Sequence, residues 1–367
     1  MIGYGVIGCG MMGQEHLRHI ALLPDARVVA MLEPDAAMRA AAAALAPGAR
    51  LVDTIADLLA LPEVTAILIA SPNHVHLAQL EQVAAIRPLP VLIEKPLFID
   101  PADAPRLAAL RAAYPAPIWV AMEYRYMPPV ARFLDQAQAV TGGVRMLTIR
   151  EHRFPFLHKV GAWNRFNRTS GGTLVEKCCH FFDLMRLVAG CNPVRVMASG
   201  GQAVNHRDEV YGGETPDIWD HAYVIVDFES GLRAMLELCM FAEGSRYQED
   251  LSAEGAAGKI ECLVPGPGRF WPAHLGPAPL PKVIVSPRHP AGPVELEVPV
   301  DPALLAAGDH NGSAYYQHQG FARAACGLQR HEVSLTDGWW SVAMGLAAQQ
   351  SAERGEAVLL SHTGYAP

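Results

Sequence analysis

The sequence predicts an α/β protein in two parts. The first is an N-terminal Rossmann doubly wound parallel sheet; the second is a C-terminal α/β domain with a large open, mainly antiparallel sheet. Three observations predict this. The first 120 or so residues alternate short apolar runs with helical periods. A Gly8-x-Gly10-x-x-Gly13 spacing closes the first of those runs. After about Met122 the apolar runs lengthen and alternate in part, as strands with one open face do. We therefore divide the chain at 1–121 and 122–367, with the closing helices able to pack back on the first domain. A length of 367 residues suits two cores better than one.

In chain order, "IGYGVIG" reads as a strand and "MGQEHLRHIALL" as a helix, then "RVVAML" as a strand and "AAMRAAAAALA" as a helix. "TAILIAS" and "PVLIEK" are buried strands around the helix "HLAQLEQVAAI", and "PIWVAME" is a sixth strand. In the second half "VRMLTIREH", "VRVMASGG", "AYVIVDFES" and "LRAMLELCMF" read as strands, with a hairpin at "DFESGLRA". Pro265 to Pro293 is rich in Pro and Gly and reads as a long surface excursion. "SAYYQHQGFARAAC" and "TDGWWSVAMGLAAQQSAE" are closing helices.

Bulk properties narrow the function classes. The net charge of −8 argues against nucleic acid or an anionic membrane as a partner. The seven cysteines are odd in number and contain no CxxC, so neither a disulfide framework nor a metal site is expected. "MIGYGVIG" enters a strand without a basic or apolar leader, so a cytoplasmic location is expected. An open sheet face predicts self-association, as a homodimer or homotetramer.

The glycine motif follows a strand, opens a helix, and is followed by a second strand ending in Glu33, 20 residues past Gly13. That context is what a dinucleotide fingerprint requires. Gly8, Gly10, Met11, Met12 and Gly13 would surround the pyrophosphate, and Glu33 would accept a ribose diol and repel a 2′-phosphate. NAD is favoured over NADP. The turn "SPNHVH" places Ser71, Asn73 and His76 beside the next strand end, and "IEKP" places Glu94 and Lys95 at another. Both are strand mouths where ligands bind in open α/β sheets. A lysine shielded from water there is expected to give up its proton more easily.

"LVEKCCHFFD" spaces Glu176, His180 and Asp183 on one face of a helix. Thr173-x-x-Glu176 also fits a capping box, and His180 alone would fit a satisfied core histidine. "IREHRFPFLHKVGAWNRFNR" is locally basic, with Arg153, His158, Lys159, Arg165 and Arg168. It reads either as a substrate loop, with Trp163 stacking on a ring and Asn164 and Arg165 bonding hydroxyls, or as a solvated loop rich in ion pairs.

Taken together, "GVIGCGMMG", "ASPNHVH", "IEKP", "EYRY" and "GGTLVEKCCHFFD" resemble the Gfo/Idh/MocA family of glucose–fructose oxidoreductase and inositol dehydrogenase. The resemblance runs to "SVAMGLAAQQSAERGEAVLL" near the end of the chain. It implies bound NAD(H) or NADP(H) and oxidation at a carbinol of a sugar, inositol or related polyol. It implies Lys95 as the EKP lysine, a proton carrier, and His180 as the general base. Glu176 stands where many members have aspartate and would orient the imidazole. Asp183 matches a structural acid and Arg125 an arginine near the site. An NAD-dependent glycosidase and a non-catalytic NAD-binding regulator are alternatives on the same scaffold; the presence of both Lys95 and His180 disfavours the regulator.

Overall fold

The computed structural model describes residues 1–365 and 367. Six strands form the first sheet: β1 (Ile2–Ile7), β2 (Ala26–Leu32), β3 (Arg50–Val52), β4 (Ala66–Ile69), β5 (Val91–Ile93) and β6 (Ile118–Val120). All are parallel, in the order β3-β2-β1-β4-β5-β6. The strand order reverses beside β1, which opens a crevice at the carboxyl ends of β1 and β4. β1, β4, β5 and β6 are buried on both faces, which explains why they read as unbroken apolar runs.

The second sheet has nine strands: β7 (Val144–His152), β8 (Pro193–Gly201), β9 (His221–Phe228), β10 (Arg233–Cys239), β11 (Glu249–Gly255), β12 (Gly258–Val264), β13 (Lys282–Pro287), β14 (Val294–Glu297) and β15 (Val358–Leu359). All pairings are antiparallel except β7 with β10. The helices Pro128–Thr141, Cys179–Ala189 and Leu335–Arg354 cover one face. The other face leaves Met146, Tyr223 and Ile225 exposed. No helix among the described residues is long and apolar enough to cross a membrane.

Two sequence expectations need correction. The Pro- and Gly-rich excursion is interrupted at 282–287, where β13 joins the sheet beside β12, and β14 pairs with β13 directly after Pro293. And "LVEKCCHFFD" is not one helix. Thr173–Glu176 forms a single turn, Lys177 and Cys178 interrupt it, and a new helix runs Cys179–Ala189. The Thr173 carbonyl accepts both Lys177 N–H (3.0 Å) and Cys178 N–H (3.4 Å), so the ladder slips by one residue. That slip takes the Glu176 carbonyl out of regular helix bonding. Period-3.6 patterning cannot reveal it, since Leu174, Val175, Phe181 and Phe182 on either side are all buried.

The closing helix Leu335–Arg354 starts at a Ser334–Asp337 capping box and lies against the Thr173–Glu176 turn. The approach is close at Gly345, where a Cβ would sit 2.5 Å from the Leu174 carbonyl oxygen. Gly345→Ala is expected to lower stability by about 1–3 kcal/mol through forced separation, measured by urea unfolding. An unchanged midpoint would show that the two elements can part without loss.

Candidate active site

The glycine turn is built for a bulky anionic ligand. Gly8 holds φ +89°, and a Cβ there would meet the Ser71 backbone nitrogen at 2.6 Å. At Gly13 a Cβ would lie 2.3 Å from the Gly8 carbonyl oxygen, so helix and strand pack without side chains between them. Gly10 differs, because a Cβ there would meet nothing within 4 Å. The helix α1 (Met11–Ala21) begins at Gly10 with no side-chain cap. Its first N–H groups and positive dipole end therefore face open space, which fits a pyrophosphate. Glu33 is buried at the end of β2 and accepts from Cys9 N–H (2.6 Å) and Asp35 N–H (2.8 Å). The first arginine downstream, Arg39, donates to the carbonyls of Glu33 and Val52 and pairs with Asp53, so no free cation awaits a 2′-phosphate. The fit is to NAD.

The two strand mouths are clamped to each other. His76 is fully buried, with Nδ1 2.9 Å from the Pro96 carbonyl and Nε2 2.8 Å from the Ser71 carbonyl. Burial holds His76 below its ordinary range, so the neutral ring donates to one of these carbonyls only, and both nitrogens face protein backbone where a cofactor contact was expected. Asn73 donates to the Ser170 carbonyl (2.8 Å) and so fastens the first sheet to the segment before Glu176. Ser71 donates to Gln79. Glu94 also turns inward, to His16 Nε2 at 2.8 Å. His16 Nδ1 in turn meets His318 Nε2 (2.9 Å), and His318 Nδ1 meets Tyr4 Oη (3.0 Å). Burial works against the His16 imidazolium, but Glu94 outweighs it and holds His16 above its ordinary range; burial keeps His318 well below. The row thus links β1, α1 and the helix Ser313–Ala325 with one cation against one carboxylate.

Lys95 reaches across to the second domain, donating to the Glu176 backbone carbonyl at 3.1 Å. The Cys179 thiol donates to the same oxygen at 3.4 Å. The acceptor is the carbonyl that the ladder slip released. Burial pushes the Lys95 ammonium down, while Cys179 and the carboxylates of Glu176, Glu94 and Glu123 hold it up. The net direction is up. This favours a cationic Lys95, the form that stabilises developing alkoxide charge, because Cys179 and the carboxylates offset the shielding expected to loosen its proton.

The Thr173–Glu176 capping box does not form, because Thr173 Oγ1 donates instead to the Trp219 carbonyl (2.6 Å). Glu176 Oε1 pairs with Lys159 Nζ at 3.1 Å, and Oε2 is buried without a partner. No hydrogen bond joins Glu176 to His180, so the expected orienting contact is absent. His180 Nδ1 is likewise buried and unpartnered. Burial, then Lys95, Lys177, His310 and Arg153, hold His180 well below its ordinary range, so its imidazole is neutral and free to accept a proton. Two unpartnered polar atoms on the segment that the Lys95 ammonium contacts suit a polyhydroxylated ligand, and the neutral imidazole among them suits taking up a proton.

The remaining expected substrate contacts are spent elsewhere. Arg125 grips Asp183 with two nitrogens, Nε and Nη2, each at 2.5 Å, and donates to the Glu332 carbonyl. Arg165 donates to Glu209 (2.8 Å), and Asn164 to the Leu157 carbonyl (2.9 Å). Arg168 pairs with Glu214, and Lys159 lies 4.4 Å from the Trp163 ring centre. The basic loop is thus neutralised by acids from the β8–β9 connection and by Glu176, and Trp163 carries a protein cation on its ring.

Several residues were missed. Tyr124 of "EYRY" stacks on His180, Lys177 donates to Tyr124 Oη, and Glu15, Glu123 and His310 meet behind α1. Only the position of Tyr124 in a motif already singled out, and of Lys177 between Glu176 and Cys178, could have flagged any of them.

The chain matches the model of an oxidoreductase family's NAD-binding Rossmann fold over residues 2–122, and that family's C-terminal α/β domain over residues 137–267. The rhizopine catabolism protein MocA of Rhizobium meliloti is 25% identical over 235 residues, which is 64% of this chain and 70% of that protein. Inositol 2-dehydrogenase of Corynebacterium glutamicum strain R is 34% identical over 195 residues, 52% of this chain and 55% of the enzyme, so the alignment spans about half its length. Among solved structures, a levoglucosan dehydrogenase in complex with NADH and levoglucosan superposes with a TM-score of 0.79 at 17% identity, covering 98% of this chain and 99% of that one. A myo-inositol dehydrogenase from Corynebacterium glutamicum ATCC 13032 gives 0.73 at 18% identity, covering 98% and 99%. At these identities the two structures speak for the fold.

Behind α1, His310 Nδ1 lies 2.9 Å from Glu15 Oε1 and 3.6 Å from Glu123 Oε1. Burial lowers the His310 imidazolium, but Glu123 and Glu15 outweigh it and raise its pKa from 6.5 to about 9. A histidine raised on folding contributes stability that is complete below its unfolded value and is lost as pH climbs through the folded one. The thermal midpoint is therefore expected to fall between pH 6.5 and about 9, and to fall less in His310→Gln. Parallel profiles for the two proteins would deny the tie between α1 and this loop any weight.

Proposed function

The chain belongs to the Gfo/Idh/MocA oxidoreductase family, whose N-terminal domain is an NAD-binding Rossmann fold. From that premise we propose that it is a dehydrogenase that oxidises a carbinol of a sugar, inositol or related polyol. The observation that supports this most is the hydrogen bond from Lys95 Nζ to the Glu176 carbonyl at 3.1 Å. It joins a cation from a Rossmann strand mouth to the segment that carries two unpartnered side-chain atoms, His180 Nδ1 and Glu176 Oε2. The relative named as an inositol 2-dehydrogenase supports the same class of ligand.

Gly8, Gly10, Met11, Met12 and Gly13 would hold the pyrophosphate of NAD, and Glu33 its adenosine ribose. NAD supplies the hydride acceptor. His180, neutral, receives the hydroxyl proton of the carbinol. Lys95 donates to the same oxygen and stabilises the negative charge that develops as the proton leaves. Glu176 Oε2 accepts from a neighbouring hydroxyl and so sets which carbon is presented. The extra methylene of a glutamate, relative to the aspartate of many relatives, lets Oε1 stay on Lys159 while Oε2 remains free. Self-association through the open sheet face around Tyr223 and Ile225 is part of the same reading.

The test is NAD reduction against a panel of inositols, aldoses and uronates. At least one polyol should yield net NADH, whereas a glycosidase recycling its cofactor would yield none. On that substrate His180→Ala should lower kcat by roughly 10²–10⁴-fold, the usual share of a general base. Lys95→Met should lower it by about 10²–10³-fold. Because His180 is held well below 6.5, kcat/KM should stay level as pH falls through that value. A turnover number unchanged in Lys95→Met would remove the strand-mouth lysine from the chemistry.

A further inference from the structure

A general-base histidine is ordinarily fixed by a hydrogen bond from its second ring nitrogen to a carboxylate or carbonyl. His180 has no such bond: among the described residues neither ring nitrogen has a hydrogen-bond partner, and Glu176 points to Lys159. Its orientation must come from packing. The packing is specific: the Tyr124 ring lies 4.1 Å from the imidazole, centre to centre, and within 8° of parallel. Tyr124 is fixed in turn. Phe181 meets it edge-on at 5.7 Å, and Lys177 Nζ donates to Tyr124 Oη at 2.5 Å. Lys177 is anchored by Glu151 at 2.8 Å, with Arg153 3.9 Å from the same carboxylate.

These residues come from separate elements. Tyr124 sits on the turn Glu123–Tyr126 after β6, Glu151 is on β7, and Lys177 is in the break that separates Glu176 from His180. The break does two things at once. It frees the Glu176 carbonyl for Lys95, and it sends the intervening lysine into the core beneath the histidine's stacking partner. A buried lysine is expensive to keep, and Lys177 is buried. Nothing in the proton transfer itself uses it.

We propose that Tyr124 and Lys177 are a positioning pair for His180: the Lys177 ammonium, braced on Glu151, pins the Tyr124 hydroxyl, and the Tyr124 ring holds the imidazole flat in the site. The proposal rests on the reading of His180 as the base, but its test does not depend on turnover. The groups that face His180 are Lys95 from the β5 mouth, Arg153 from the end of β7, His310 from the loop before Ser313–Ala325, Tyr124, and Lys177 on its own segment. Those that face Lys177 are Glu151 and Arg153 from the β7 end, Glu249 from β11, and Tyr124.

The experiment is a pH titration of the histidine ring signals in ¹⁵N-histidine-labelled, NAD-saturated protein, with His180 assigned by its loss in His180→Gln. Lys177→Met keeps the chain length and removes a cation, so the imidazolium of His180 becomes easier to form. Its midpoint is expected to rise by roughly one pH unit. Tyr124→Phe keeps the ring but removes the hydroxyl that Lys177 holds, so it should weaken the ring-current shift of His180, and Tyr124→Leu should abolish it. An unmoved midpoint in Lys177→Met, or an unchanged His180 signal in Tyr124→Leu, overturns the proposal. If the leucine variant does not fold, the ring-current shift of His180 in Lys177→Met decides: its weakening supports the pin, and its full retention overturns it. Turnover retained in His180→Ala would sink the reading of the base and leave these signals untouched, so the two failures are distinguishable.

Discussion

One hydrogen bond organises this molecule: an ammonium on the first sheet, Lys95, donating to a backbone carbonyl on the second domain, Glu176. Helix carbonyls are normally spent within their own helix, and one that is not must find a partner when buried. The ladder slip at Lys177 and Cys178 supplies that spare acceptor, and the EKP turn supplies the donor. Remove the slip and Lys95 loses its acceptor; remove Lys95 and a buried carbonyl keeps only a weak thiol donor.

The same constraint governs the charges around it. An isolated buried ion costs several kcal/mol, and four of the buried carboxylates here are matched. Glu94 has His16, Asp183 has Arg125, Glu151 has Lys177, and Glu15 has His310. Because Cys179 and the carboxylates near Lys95 outweigh its desolvation, it stays cationic, and because burial and then the surrounding cations act on His180, it stays neutral. Two neighbouring nitrogen groups are thus pushed apart in protonation. That separation lets one stabilise negative charge while the other accepts a proton. The pairs also join elements far apart in sequence. His16 with His318 and Glu15 with His310 fasten the nucleotide helix to the closing part of the chain.

Much of the fold was legible because its signals are local. Gly8, Gly10 and Gly13 announce a turn whose geometry only glycine allows, and strands buried on both faces read as apolar runs. Lys95 and His180 could be singled out for the same reason: each sits at a fixed offset within a short motif. What was not legible is partnership across distance. Arg165 and Arg168 look like free cations until Glu209 and Glu214, more than 40 positions away, are folded against them. Arg125 likewise looks available until Asp183 arrives 58 positions later. The interrupted helix was hidden because its apolar residues keep a helical spacing through the break, and the stacking of Tyr124 on His180 leaves no trace in either motif alone.

The central claim is that Lys95 and His180 act on one oxygen in one step, and a double-mutant cycle on kcat tests it most directly. Groups that work as a unit are not additive, so Lys95→Met combined with His180→Ala should be little slower than the slower single variant. A double variant slowed by the full product of the two single effects would mean that the ammonium and the imidazole serve independent steps, and would contradict the account.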